Sequence, residues 1–334
     1  MTVFLPAGAQ AANHLIIPYA ASRSPALREA LVNLELPHLQ ALLRTLTRVA
    51  TDVEDLDQPG LNMPHERAYA QALQLPALEG NEGAWPWAAI TNKAANEAAS
   101  VVPQAFFSPC HWQIGMGQVV MLNPAHLQLS EAESQALLQA MQPFFIEDGL
   151  TVRYLAPTQW HVQGEMLRGL ACASLDRVVG MDINLWLPKS DSAKALRRLQ
   201  SEMQMLLYNH PVNDARSTQR QLTVNSFWVH GAGVLTHKPL GSEPAPAPQM
   251  AQALREPALR EDAQAWTQAW REIDATLCAD LRDRTGSRPI TLTLCSEYAA
   301  HHYQTTTQTQ IQQIWQRAQR LFKPLTVHTA LQAL

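Results

Sequence analysis

The chain is 334 residues long, enough for one large domain or two ordinary ones, and 46% of it is hydrophobic, so a sizeable core can form. Only 16% of the residues are charged and the formal net charge is −4, which gives no reason to expect nucleic acid or an anionic membrane as a partner. The four cysteines, Cys110, Cys172, Cys278 and Cys295, share no CxxC spacing. That sets aside the zinc and thiol-redox motifs, and scattered reduced thiols fit the cytoplasm. No basic segment with an apolar run behind it opens the sequence, and no apolar run approaches the length of a membrane span, so the expectation is a cytoplasmic protein.

Along the chain, His14-Leu-Ile-Ile-Pro-Tyr19 reads as a buried strand ended by a proline. Ser24-Pro25 starts a helix with proline in its first turn. Leu36-Pro-His-Leu39 starts another, with leucines at 39, 42, 43 and 46 on one stripe. Asp52, Glu54, Asp55 and Asp57 ahead of Pro59-Gly60 predict an acidic surface loop over 51–60, and Pro64 opens a short helix running to about Leu75. Gly80, Gly83 and Pro86 mark a turn-rich link. Phe106 to Leu122 alternates loosely, which predicts a hairpin.

Ser130-Glu-Ala-Glu133 has the spacing of a capping box ahead of a helix to about Phe145. Strands follow at Leu150–Leu155 and Gln159–Gln163, and Asp191-Ser192 caps a helix to about Asn209 that is ended by His210-Pro211. Val224 to Val229 reads as a strand leading into Gly231-Ala-Gly233. A proline-rich linker covers 239–250. A helix from Glu261 to about Leu281 carries Trp266 and Trp270, Ile290–Cys295 is a strand, and a terminal helix spans Gln308 to about Phe322. Strands alternate with helices at both ends, while the middle mixes a hairpin, helices and strands. This pattern predicts an α/β core with an α+β insertion.

Eight phrases carry a resemblance: Leu36-Pro-His-Leu39, Pro64-His-Glu-Arg67, Pro109-Cys-His-Trp112, Ser174-Leu-Asp-Arg177, Asp182-Ile-Asn-Leu-Trp-Leu-Pro188, Gln204-Met-Leu-Leu207, His210-Pro-Val-Asn213 and Asn225-Ser-Phe-Trp228. On these the chain resembles the proteobacterial family named after the regulatory protein RpfE, often labelled a phosphoglycerate mutase homologue. More distantly it is similar to archaeal-type cofactor-independent phosphoglycerate mutases of the alkaline phosphatase superfamily. The resemblance implies a doubly wound α/β core interrupted by an inserted α+β domain, with the core formed by about 1–100 and 222–334 and the insertion by 101–221.

The chemistry of that superfamily is not carried over. Its members hold two metal ions on Asp and His ligands and attack phosphate with Ser or Thr. Where the first strand should end in Asp, this sequence has Pro18-Tyr19. Where the nucleophile should stand, it has Met63-Pro-His-Glu-Arg67, and where an Asp-His pair should follow the last core strand it has Cys295-Ser-Glu297; residues 239–274 contain no His. Two divalent cations need several hard or imidazole ligands at fixed geometry. Neither metal nor cofactor is therefore expected.

Several polar groups remain candidates for binding. His65, Glu66 and Arg67 stand at a helix start, a place that favours anions. Asn213, Arg216, Asn225, Trp228, Gly231 and Gly233 lie in the polar stretch where the chain leaves the insertion; Arg216 offers a bidentate donor and the glycines allow close backbone approach. Asp176, Arg177 and Asp182 read as a structural polar clamp. Cys110-His111 is not a nucleophile pair, because neighbours on a strand point to opposite faces. Three readings stay open: a regulatory or ligand-sensing homologue that takes a small anionic ligand or a protein partner, an active phosphotransfer enzyme with a reorganised site, and a scaffold that docks a protein through the tryptophan-bearing helix.

Overall fold

The computed structural model describes residues 13–75, 85–92, 102–190, 193–234, 247–305 and 326–334. The expected cap at Asp191-Ser192, the terminal helix from Gln308 and most of the proline-rich linker lie outside them. The described residues fall into two compact units, one holding 60–62, 85–92, 102–190 and 193–234, the other 13–59, 63–75, 247–305 and 326–334. No helix among the described residues is long and apolar enough to cross a membrane.

The unit built from both ends of the sequence contains a five-stranded sheet in the order β2–β11–β10–β1–β9. Strand β1 (His14–Ile17) runs parallel to β10 (Thr291–Cys295) and to the short β9 (Gln249–Met250). Strand β11 (Ala299–Gln304) is antiparallel to β10, and β2 (Thr47–Val53) is antiparallel to β11. The link from β10 to β11 is only Ser296–Tyr298, too short for the crossover a parallel pair needs. The sheet is therefore mixed, where a doubly wound core implies parallel strands throughout.

Alternation along these strands sends side chains to two buried faces. Leu15, Ile17, Leu292, Leu294 and Tyr303 join one apolar core with α1 (Pro25–Val32), α2 (Pro37–Thr45), α10 (Ala263–Ile273) and α12 (Val327–Gln332). Helix α3 (Pro64–Ala72) packs against β1, β10 and β11, over the opposite face carrying Thr293 and Cys295. Part of the expected acidic loop is strand: Asp52 belongs to β2 and Glu54 is buried. These carboxylates tolerate that setting because Arg67 pairs with both.

Helix α10 follows α9 (Arg255–Leu259) and passes through a π turn, Asp274–Cys278, into α11 (Ala279–Asp283). Trp266 and Trp270 are both buried, edge to face, with ring centroids 6.2 Å apart. Their Nε1 groups donate to the carbonyls of Tyr19 (3.1 Å) and Ala20 (3.2 Å). The tryptophans point into their own unit, which removes the motive for a protein-docking scaffold on that helix.

In the other unit the sheet is wholly antiparallel, in the order β6–β7–β3–β8. Its strands are β3 (Gln104–Cys110), β6 (Thr151–Ala156), β7 (Gln159–Gln163) and β8 (Ser226–Gly233). The expected hairpin over 106–122 resolves into two things. Residues 104–110 form a central strand of this sheet, and β4 (Trp112–Ile114) with β5 (Val119–Met121) makes a separate small hairpin. The strand expected to return the chain to the first sheet, β8, pairs instead with β3. Helices α5 (Glu131–Glu147) and α7 (Ala193–Tyr208) bury Leu137, Met141, Leu196, Leu199 and Met203 against one face. Helix α4 (Trp87–Thr91) packs on β8 and β3, while α6 (Leu175–Val178) and α8 (Pro211–Thr218) lie beside the sheet's last strand and its approach. The capping box forms as its spacing predicts: Glu133 N–H donates to Ser130 Oγ at 3.3 Å, and the Glu133 carboxylate accepts from Ser130 N–H at 2.8 Å.

Each sheet buries histidines. Burial holds His14 down to about 4, with His302 adding to the effect, and it is the main cause holding His230 down to about 3. Below the ordinary imidazole value near 6.5 the unfolded chain takes up protons that the folded chain refuses. Stability is therefore full above about pH 6.5 and falls as the pH drops toward 4. Each such histidine steepens the slope by up to about 1.4 kcal/mol per pH unit. Urea denaturation across this window checks the slope, and His14→Gln or His230→Gln flattens it; an unchanged slope in both variants contradicts the assignment.

Candidate functional site

In the unit holding the five-stranded sheet, the exit of β1, the start of α3 and the end of β10 come together. Tyr19 takes a left-handed φ of 54°, a conformation unusual for a bulky residue and sustained only by its surroundings. What sustains it is visible. Ala20 N–H donates to the Cys295 carbonyl at 2.7 Å, and the two tryptophan indoles bind the Tyr19 and Ala20 carbonyls. The Tyr19 ring lies 5.7 Å from that of His65, which is itself buried at the first turn of α3.

Proline at the first position of α3 removes one unpaired N–H, and the buried Glu66 carboxylate reaches back to accept from Met63 N–H at 2.7 Å. Glu66 is thus a helix cap. Arg67 donates from Nε to Asp52 at 2.7 Å and from Nη1 to Glu54 at 3.3 Å. Burial pulls the guanidinium down, yet the hydrogen bonds and charges of Asp52 and Glu54 outweigh that and raise it overall. Burial also pushes the fully enclosed Cys295 thiol up, with Asp52 adding to it and Arg67 opposing. A partly buried polar line continues across the same sheet face: His14 Nε2 lies 2.8 Å from Thr293 Oγ1, which lies 3.1 Å from His302 Nδ1. The ingredients named from sequence, His65, Glu66 and Arg67, do converge with the β1 exit and with Cys295. The carboxylate of Glu66 and the guanidinium of Arg67 are used to hold the unit together, while His65 packs its ring against Tyr19. Among the described residues no three His, Cys, Asp or Glu side chains converge as a metal site would require.

The polar stretch from 210 to 233 lies in the other unit and is engaged in the same way. Asn213 donates to the Leu207 and Val224 carbonyls at 2.8 and 2.7 Å and accepts from Val224 N–H at 2.9 Å. Asn225 pairs with both main-chain groups of Trp112, at 2.7 and 2.9 Å, as a strand neighbour would. Arg216, 1% exposed, donates to Glu133 at 2.8 Å, to the Leu222 carbonyl at 2.7 Å and to the Leu127 carbonyl. Trp228 Nε1 donates to the Ala173 carbonyl at 3.0 Å. Gly231 takes a left-handed φ of +60°, which strains any other residue, and a Cβ there would lie tight against Trp87 Cβ at 3.1 Å. At Gly233 it meets Pro86 Cβ at 2.9 Å, so both glycines admit α4 and the residue before it. Arg177 Nη2 donates to the Asn62 carbonyl at 2.9 Å, and its guanidinium lies over the Trp186 ring. Asp176 is buried beside it on α6. Asp182 accepts from Val119 and Asn184 N–H groups, tying β5 to the following turn.

Sequence reading missed a cavity of about 510 Å³ where β1 and β10 end, lined by Ser22, Arg23, Arg28, Trp266, Ser296 and Glu297 among others. The signal for it was there: short polar segments directly after two apolar strands, the place where α/β sheets most often bind ligands.

No protein-family model matches the chain and no curated protein matches it. Among solved structures it is similar to a cofactor-independent phosphoglycerate mutase from Thermoplasma acidophilum DSM 1728, with 13% identity, 89% of this chain and 90% of that chain covered, and a TM-score of 0.33. It is also similar to the PH0037 protein from Pyrococcus horikoshii, with 12% identity, 87% and 86% covered, and a TM-score of 0.45. Both overlays are loose over nearly the whole length, so the chemistry of this chain rests on its own residues.

Proposed function

We propose that the chain is a regulatory or ligand-sensing protein of the RpfE kind, built on a phosphoglycerate-mutase-like frame that has lost its two-metal phosphotransfer centre. The two ends of the sequence make the core and the middle makes the insertion. Because β8 pairs with β3, the return to the core comes after residue 233 in this reading and not near 222. The observation that carries the proposal is Arg67. At the helix start where the superfamily keeps its nucleophile and metals, a built-in cation already neutralises Asp52 and Glu54. A donor set of one guanidinium, two engaged carboxylates and a buried neutral thiol does not fit a pair of divalent cations, which need free anionic or imidazole ligands. A reorganised phosphotransfer site built on His65, Arg67 and residues near Cys295 meets the same obstacle, since Arg67 is held by carboxylates of the chain itself and is not aimed at a phosphate.

The test uses the purified chain supplied with manganese or zinc and 3-phosphoglycerate. Phosphate release and isomerisation should stay at the level of the blank, and elemental analysis should find less than one metal ion per chain. Turnover that depends on the added metal overturns the proposal.

A further inference from the structure

We propose that the cavity at the carboxyl ends of β1 and β10 binds a small organic carboxylate with an apolar body. The inference rests on the ligand-sensing reading and gives it a place and a chemistry.

The cavity lies wholly within the unit of the five-stranded sheet. β1 and β10 are parallel neighbours, and their carboxyl ends open on the same side, where open α/β sheets bind ligands. The left-handed turn at Tyr19, clamped by the two indoles, steers Ala21, Ser22 and Arg23 to the rim. The volume of about 510 Å³ is within the usual range for small-molecule sites.

Charge decides the kind of ligand. Arg23 and Arg28 form no side-chain hydrogen bond or ion pair among the described residues; Arg23 lies over the Tyr298 ring, 4.4 Å from its centroid. The one side-chain carboxyl in the lining, Glu297, accepts from Ser22 Oγ at 2.5 Å through Oε1, while its Oε2 is buried with no partner among the described residues; the main-chain oxygen of Leu334, also in the lining, accepts from Ser296 Oγ at 2.9 Å. Burial raises its pKa above the ordinary carboxyl value in spite of Ser22, Arg23 and Arg28 nearby. Two guanidiniums thus face a single side-chain carboxyl, which leaves the side chains of the rim with an excess of positive charge. The walls are apolar, with Leu27, Leu31 and Leu331 beside Trp266. A cationic rim over an apolar wall matches a carboxylate on a hydrocarbon or aromatic body, with the guanidinium fork taking the two carboxylate oxygens.

Calorimetric titration of the full chain with phenylacetate tests this, with 2-phenylethanol and inorganic phosphate as comparisons. Phenylacetate should bind saturably, more tightly than either comparison. The Arg23→Gln/Arg28→Gln variant should lose about tenfold or more in affinity, the scale of one or two charge-assisted hydrogen bonds, with an unchanged melting temperature. Glu297→Gln should bind phenylacetate at least as tightly as the parent, because it removes the negative side chain that competes for the two guanidiniums. Three outcomes overturn the inference: no saturable phenylacetate heat at millimolar concentration, equal affinity for 2-phenylethanol, or phenylacetate affinity unaffected by the double arginine change. Phosphate binding in preference to phenylacetate overturns it as well. Metal-dependent mutase turnover would defeat the ligand-sensing reading alone and leave a measured affinity of this cavity standing.

Discussion

Replacing Arg216 by leucine is expected to destabilise the antiparallel unit by about 3–5 kcal/mol, the scale seen when one partner of a buried ion pair is removed. The guanidinium is 1% exposed and joins four separate pieces of chain. It projects from α8 and holds the Leu222 carbonyl ahead of β8, the Leu127 carbonyl ahead of α5 and the Glu133 carboxylate in the first turn of α5. Leucine fills much of the volume but leaves two main-chain carbonyls without their donor, and each such loss costs about 1–3 kcal/mol. Arg216→Lys should recover only part of the loss, because a single ammonium cannot span acceptors arranged around a planar fork. Glu133→Gln should cost about 1 kcal/mol, since an amide oxygen can still accept from Ser130. Urea denaturation of the three variants is the measurement. A loss below 1 kcal/mol in Arg216→Leu would return this residue to the role its sequence context suggests, a ligand contact.

The second large effect is expected at Asp274. Helix α2 begins at Pro37, which has no N–H, and its N-cap Leu36 has no side-chain oxygen. Only His38 and Leu39 are left with N–H groups to satisfy, and both donate to Asp274, at 3.2 Å to Oδ2 and 2.7 Å to Oδ1. The cap is supplied from 235 residues away along the chain. Asp274 is buried and opens the π turn between α10 and α11, a local rewinding often found where a helix must aim one residue. Asp274→Ala should cost about 2–4 kcal/mol, combining two charge-assisted bonds with the dipole of α2. Asp274→Asn keeps one acceptor and should cost about half of that. Equal stability of the parent and Asp274→Ala in thermal and urea unfolding would remove this account of why Leu36-Pro-His-Leu39 can start a helix without a cap of its own.

The helices could be read from sequence where their signals are local. Pro25, Pro37 and Pro64 each stand at a helix start, and Ser130 with Glu133 forms its box. Strands β2, β9 and β11 could not. In Thr47–Val53 the acidic Asp52 resembles loop text until its partner Arg67 is known, and Ala-Ala-His-His-Tyr at 299–303 lacks the usual apolar run because its histidines are buried on the sheet. The same gap limits the site. His65, Glu66, Arg67, Asn213 and Arg216 were singled out for their polar character; all five are buried or half-buried, and Glu66, Arg67, Asn213 and Arg216 form hydrogen bonds within the chain itself. Whether a polar side chain serves a ligand or the fold depends on what lies opposite it, and the opposite residue is often far away in sequence: Asp52 for Arg67, Glu133 for Arg216, Asp274 for Leu39. The cavity at Arg23 and Glu297 escaped notice for the converse reason, since it joins two segments that are unremarkable when read apart.

The parallel pairing of β1 with β10 has a consequence for how the chain is made. His14 and Thr293 touch across 279 positions of sequence. At a ribosomal pace of about 5–20 residues per second, the first strand waits roughly 15–55 s for that neighbour to be synthesised. The antiparallel unit, drawn from 60–62 and from residues between 85 and 234, is complete well before then. It should fold first, as an already finished body, while His-Leu-Ile-Ile near the start stays an unpaired apolar strand in need of shelter. Synthesis of β10 and of the lining residues that follow it, and not the early appearance of β1, then governs when the cavity comes into existence.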